Sequence, residues 1–217
     1  MNTDFNIKPY EKSNERENLQ ELFDASFVKN DLKTLRTNYQ TLRKLELISS
    51  LDFIFENVDI SFLVENLTIA CDIICAENGT SFIYCGDSTS PARANQKLIT
   101  KAILNLLSNA FLYGRGNLVT VKTIEKLDFV QIEIQNSGYL KNNFNFSGGL
   151  KYVQKICNSL NGHFFMFTDL LSVKSVMIIP KSHNFKDIAT TPDFCEILSD
   201  RLSPIYVEFF GTEYHSI

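Results

Sequence analysis

Between Asn95 and Tyr113 apolar residues recur at helical spacing, at Leu98, Ile99, Ala102, Leu106, Leu107 and Ala110. Immediately afterwards the period changes to two. Val119, Val121, Val130, Ile132 and Ile134 alternate with polar residues on either side of a tight turn at Lys126-Leu127. A long helix with one apolar stripe must bury it, and strands with one wet face offer the surface to bury it on. This switch predicts an α+β sandwich of two layers, a mostly antiparallel sheet with helices on one face.

The rest of the chain extends this frame. Asp59 or Ser61 is placed to cap a helix from Phe62 to about Asn78, and Gly79 suits its end. Strands are expected at Thr80–Cys85, His163–Asp169 and Ser172–Ile179, and a helix at Gly149–Leu160 stopped by Asn161-Gly162. Gly86–Pro91 and Asn136–Gly148 read as loops. The last 37 residues (181–217) read as an extension with a short helix near Asp193–Leu198 and a β-rich piece at Ile205–Phe210.

Ahead of the sandwich, Asn14 and Glu17 form a capping-box spacing that opens a short helix. Val28, Leu32, Leu35, Tyr39 and Leu42 then step by four and three between lysines and arginines. That narrow stripe fits the seam of a helical hairpin or of a homodimer through residues 15–48, or a helix lying on its own core. The chain thus divides into 1–57, 58–180 and 181–217.

Composition bounds the partners. A net charge of -4 provides no basic footprint for a nucleic-acid backbone. Five cysteines without Cys-x-x-Cys spacing fit a reducing compartment, and Cys71 and Cys75 read as buried helix residues before they read as ligands. No apolar run reaches the ~18 residues of a membrane span, and the polar start is unlike a signal peptide. A cytoplasmic location is expected, whether for a whole protein or for the inner part of a longer one.

Three segments could carry chemistry. Asn105 and Asn109 lie four apart on the polar face of the long helix. Amide oxygens there can ligate magnesium while amide N–H groups donate to phosphate, or both can be solvated surface residues. Asn136-Ser-Gly138 closes a strand, where an amide could read an adenine edge or simply end a turn. Gly148-Gly149-Leu150 opens a helix, leaving backbone N–H groups free to cradle phosphate.

In this order the segments resemble the ATP-binding domain of sensor histidine kinases, within the gyrase, heat-shock chaperone, histidine kinase and MutL superfamily. The resemblance covers roughly residues 58–180. Asn105-Leu-Leu-Ser-Asn109-Ala is similar to the asparagine box, Gly149-Leu-Lys-Tyr-Val to the last glycine box, and Val176-Met-Ile-Ile-Pro180 to the closing strand. The resemblance implies ATP and magnesium as cofactors. It implies Asn105 as the metal ligand, Asn109 facing phosphates, Tyr113 beside adenine, and Asn136 where an aspartate or asparagine reads the adenine amino group. Gly138, Gly148, Gly149 and Leu150 would line the same site. It implies a response regulator or kinase as partner.

The departures are as specific as the matches. No histidine precedes His163, so the usual phosphoacceptor is missing from these residues, and His163 falls at a strand start. Leu112 stands where a lysine is usual, Lys101 where an acidic or histidine base is usual, and Leu140 where a glycine is usual. Only ten residues separate Gly138 from Gly149, a short lid. The sequence therefore supports two readings: a degenerate site that binds Mg-ATP weakly without autophosphorylation, or a nucleotide-free pseudokinase acting as a dimeric interaction module.

Overall fold

Asn95 and Asp59 fix where the two longest helices among the described residues begin. Asn95 Oδ1 accepts the Leu98 N–H at 3.0 Å, and Asp59 Oδ1 accepts the Phe62 N–H at 3.2 Å. Each satisfies an N–H that the first helical turn leaves without an internal partner. Asp59, rather than Ser61, is the cap.

The computed structural model describes residues 54–114, 116–137, 148–183, 187–200 and 203–210. The expected helices and dimer seam before residue 54, and Gly138 and Leu140, lie outside these residues. The chain divides into two compact units, one spanning 53–199 with 216–217, the other formed by 1–52 and 200–215.

In the larger unit the elements are β1 (Glu56–Asp59), α1 (Ile60–Cys75), β2 (Ser81–Gly86), β3 (Pro91–Ala94) and α2 (Gln96–Tyr113). They continue with β4 (Leu118–Glu125), β5 (Phe129–Ser137), α3 (Gly148–Ser159), β6 (His163–Thr168), β7 (Ser172–Pro180) and α4 (Phe194–Ser199). A five-stranded sheet has the order β2-β4-β5-β7-β6, and β1 pairs with β3 in a small second sheet.

All pairings in the large sheet are antiparallel except β2 with β4, which run parallel. The expected antiparallel alternation thus holds for four strands. The parallel fifth arises because β2 and β4 are joined through β3 and α2, a crossover that alternation within a strand does not encode.

One face of the sheet carries the core. Val119, Val121 and Thr123 on β4 stand opposite Asn136, Ile134 and Ile132 on β5, all buried. Against this face pack Leu63, Val64 and Leu67 of α1, Ile99, Ile103 and Leu107 of α2, and Leu150, Val153 and Ile156 of α3. Ser61 and Tyr84 both hydrogen-bond to Thr123 Oγ1, at 3.0 and 2.5 Å, and tie α1 and β2 to β4. Cys71, Cys75 and Cys157 are buried among the helices.

Residues on both sides of 184–186 bond to the smaller sheet. Ala189 donates its N–H to the Asn57 carbonyl at 2.7 Å, and Ser182 donates to the Pro91 carbonyl at 2.9 Å. The short strands β1 and β3 were not apparent from the sequence. Each has only four residues, and Pro91 disguises the second. In the smaller unit α5 (Pro204–Phe210) replaces the β-rich piece expected at Ile205–Phe210. Pro204 occupies the first helical position, and Ile205 and Phe209, four apart, are both buried. No helix among the described residues is long and apolar enough to cross a membrane.

Candidate nucleotide site

The polar stripe of α2 runs Lys101, Asn105, Asn109, Tyr113, one residue per turn. The opposite face is apolar and buried, so packing aims this stripe away from the sheet core. Asn109 Nδ2 donates to Asn105 Oδ1 at 3.1 Å, so the two amides act as one polar unit.

Asn105 meets the start of α3. A Cβ added at Gly149 would lie 2.6 Å from Asn105 Nδ2 and 2.7 Å from Oδ1. Only a glycine allows the asparagine amide to rest against this helix N-terminus. The first turn of α3 carries no acidic residue, so its N–H groups keep their positive end dipole. Gly148 is the first helical residue, and Leu150 anchors the turn in the core.

Asn136 closes the other end. It lies inside β5 rather than in the loop after it, and it is the last member of the buried row Val130, Ile132, Ile134, Asn136. Its Nδ2 donates to the Ser137 carbonyl at 3.1 Å. A Cβ at Gly114 would come within 3.3 Å of that amide nitrogen, so Asn136 stands beside the C-terminal end of α2. Gly114 is a site-shaping residue that motif reading passed over. Its place directly after a long helix is the available signal.

The predicted residues therefore spread along one helix. Asn105, Asn109 and Gly149 meet in its second half, and Tyr113 and Asn136 flank its end. From Asn105 to Gly114 the helix rises roughly 13 Å, enough to lay a nucleoside polyphosphate lengthwise. Tyr113 is 65% exposed, its ring available to a flat ligand. The Lys101 ammonium sits 5.4 Å from the Tyr152 ring centroid, bridging α2 to α3. Leu112 is half-buried. Burial pushes the thiol of Cys157, on the core side of α3, up to about 12, so it is not a nucleophile for this site.

No protein-family model matches the chain, and no curated protein matches it in sequence. Solved structures do. The nucleotide-free catalytic domain of the histidine kinase ThkA superposes with a TM-score of 0.53 at 17% identity, covering 59% of this chain and 97% of that one. This chain has the histidine-kinase ATP-binding fold. Acinetobacter baumannii histidine kinase AdeS gives a TM-score of 0.59 at 17% identity, covering 72% of this chain and 84% of AdeS. Full-length ShkA in complex with AMPPNP gives 0.59 at 13% identity, covering 80% of this chain and 42% of ShkA. The segment that resembles an asparagine box lies on α2, and the one that resembles the last glycine box opens α3.

Proposed function

We propose that this protein takes part in signal transduction and that its kinase-type domain binds adenine nucleotide weakly along α2. The observation that carries this reading is the junction of the hydrogen-bonded Asn105–Asn109 pair with Gly149 at the α3 N-terminus. The donor set fits Mg-ATP. Asn105 Oδ1 would hold magnesium, which supplies charge neutralisation to the phosphates when bound. Asn109 and the N–H groups of the Gly148–Leu150 turn would donate to phosphate oxygens. Tyr113 and Asn136 would hold the adenine, Asn136 through the amide edge. Gly138 is assigned to the same site on the sequence resemblance.

Weak binding follows from the cationic contacts. Leu112 offers no charge, and Lys101 is committed to the Tyr152 ring. Within the 217 residues no histidine precedes His163, which opens β6 and stacks near Phe165 at 6.1 Å. The chain as it stands therefore has no usual phosphoacceptor, and the proposal includes no autophosphorylation. The segment before residue 58 is assigned to homodimerisation through residues 15–48, in the cytoplasm. A response regulator is the proposed partner class. ThkA has been solved in complex with the response regulator TrrA, in a structure matching at a TM-score of 0.57 and 16% identity.

Calorimetry with magnesium-ATP tests the reading. Wild type should bind, and Asn109→Ala should abolish binding. Absence of binding at millimolar nucleotide would refute it. The second reading, a nucleotide-free pseudokinase module, would then stand. It is favoured by Lys101 and Leu112, which remove both the usual base and the usual phosphate cation.

A further inference from the structure

The two edges of the large sheet are treated differently. At the β2 edge, Asp72 Oδ1 accepts the outward Phe82 N–H at 2.8 Å, placing a carboxylate against any approaching strand. The β6 edge, His163-Phe-Phe-Met-Phe-Thr168, has no charged residue and no proline. No strand lies beyond it among the described residues. Phe165 is 45% exposed and Phe167 57%, both on the sheet face away from the helices. The adjoining turn holds Leu170 and Leu171 at 91% and 80% exposure, fixed by Asp169, which accepts N–H bonds from Leu171 and Ser172.

The register shows which backbone groups face outward. Asp169 donates its N–H to the Ser172 carbonyl at 3.0 Å, and the β6–β7 pairs continue from there, with Phe167 opposite Lys174 and Phe165 opposite Val176. Bonded pairs alternate along an antiparallel ladder. Odd-numbered residues of β6 therefore bond to β7, while Met166 and Thr168 direct their backbone groups away from it.

We propose that the β6 edge pairs antiparallel with β6 of a second copy about a two-fold axis through Met166. In that register Met166 exchanges N–H···O=C bonds with its own copy, and Thr168 stands opposite Phe164. Each Phe165 faces the other copy's Phe167 as a close, non-bonded pair, the arrangement that brings side chains nearest. The occupant is a second copy because the strand is complementary to itself in backbone, ring placement and charge. In this register the Asp169 carboxylate at the turn stands opposite His163 of the other copy, and Lys174 and Glu133, farther back, already neutralise each other at 3.2 Å within each sheet. Opposing edges thus bring no like charges together. A six-residue edge spans only about 20 Å, so the contact is weak and forms at high concentration.

Disulfide trapping in the full chain tests the register, in a Cys85→Ser/Cys195→Ser background that removes the exposed native thiols. Met166→Cys meets its own copy at about 5.5 Å between Cα atoms, within disulfide reach, and should give a covalent dimer on oxidation. Phe165→Cys meets its copy beyond about 7 Å and should trap at least ~tenfold more slowly. Equal trapping at both positions, or none, overturns the proposal. Sedimentation of the cysteine-intact chain provides a measurement independent of the half-buried Met166. Phe167→Lys, at an exposed ring, should weaken the β6 association step ~tenfold by removing both ring pairs and setting an ammonium against each remaining Phe165. That step is monomer to dimer, or dimer to tetramer where residues 15–48 also associate. An unchanged step refutes the pairing.

Discussion

Gly149→Ala sets two effects against each other with opposite signs. Near the start of a helix, alanine in place of glycine gains up to ~1 kcal/mol of helix propensity. The new methyl would stand 2.6 Å from Asn105 Nδ2, 2.7 Å from Oδ1 and 3.0 Å from Cγ. No rotation of the amide alone relieves all three contacts, so Asn105 must swing aside or α3 must shift. Forcing an extra methyl into such a space costs ~1–3 kcal/mol. The net result is a loss of stability between zero and ~2 kcal/mol. Displacing Asn105 also breaks its bond from Asn109, and a loss of ~1.4 kcal/mol in nucleotide binding is a tenfold weaker affinity. Thermal denaturation and Mg-ATP calorimetry on the same sample separate the two effects. A variant that melts ~3 °C higher and binds as wild type would refute the close approach of Gly149 and Asn105.

Gly79→Ala is the matching control. Nothing lies within 4 Å of its Cβ position, but its φ is 71°, so it should lose ~1 kcal/mol in chemical denaturation with nucleotide affinity unchanged. Asn66 Oδ1 accepts the Phe194 N–H and its Nδ2 donates to the Phe62 carbonyl, each at 2.9 Å. Asn66→Ala should cost ~1–3 kcal/mol and raise amide exchange in α4 first. Burial raises the thiols of Cys71, Cys75 and Cys157, whereas Cys85 and Cys195 are exposed. A thiol reagent at pH 8 should label two of the described cysteines quickly and the other three only on unfolding. Asp169 is held below the ordinary carboxylate value, first by the Leu171 N–H and then by Ser172. Its turn is therefore favoured above the unfolded carboxyl's value and loosens as pH falls through the folded one, which exchange at the Leu171 and Ser172 amides should report.

Much of the domain was legible because its signals are local. The 18 residues of α2 repeat their apolar stripe over five turns, and β4 and β5 alternate cleanly. Asn105 and Asn109 were placed together by helix spacing alone. What was not legible depends on distant partners. The parallel β2–β4 pair joins strands separated by a whole helix. The Lys101–Tyr152 contact spans 51 positions between two helices, so the sequence showed a missing base but not where the ammonium goes. Asn136 read as the start of a loop because asparagine favours turns. In the structure it is the polar end of a buried row, held in place by the pairings of β5 with β4 and β7. At α5 the aromatic and β-branched content of Ile205–Phe210 suggested a strand, and Pro204 at the helix start outweighed it.

The parallel pairing of β2 with β4 also orders the way the chain reaches this fold. The β4–β5 and β6–β7 hairpins close over turns of two or three residues and can form within microseconds. β2 can join only after the segment containing β3 and α2 has crossed over the sheet, a closure whose entropy must be met before the new contacts compensate for it. The helix that carries Asn105 and Asn109 is part of that crossover. The parallel pairing should therefore form after the hairpins, and pulse-labelled exchange in refolding should show β2 amides protected later than those of β4 and β5.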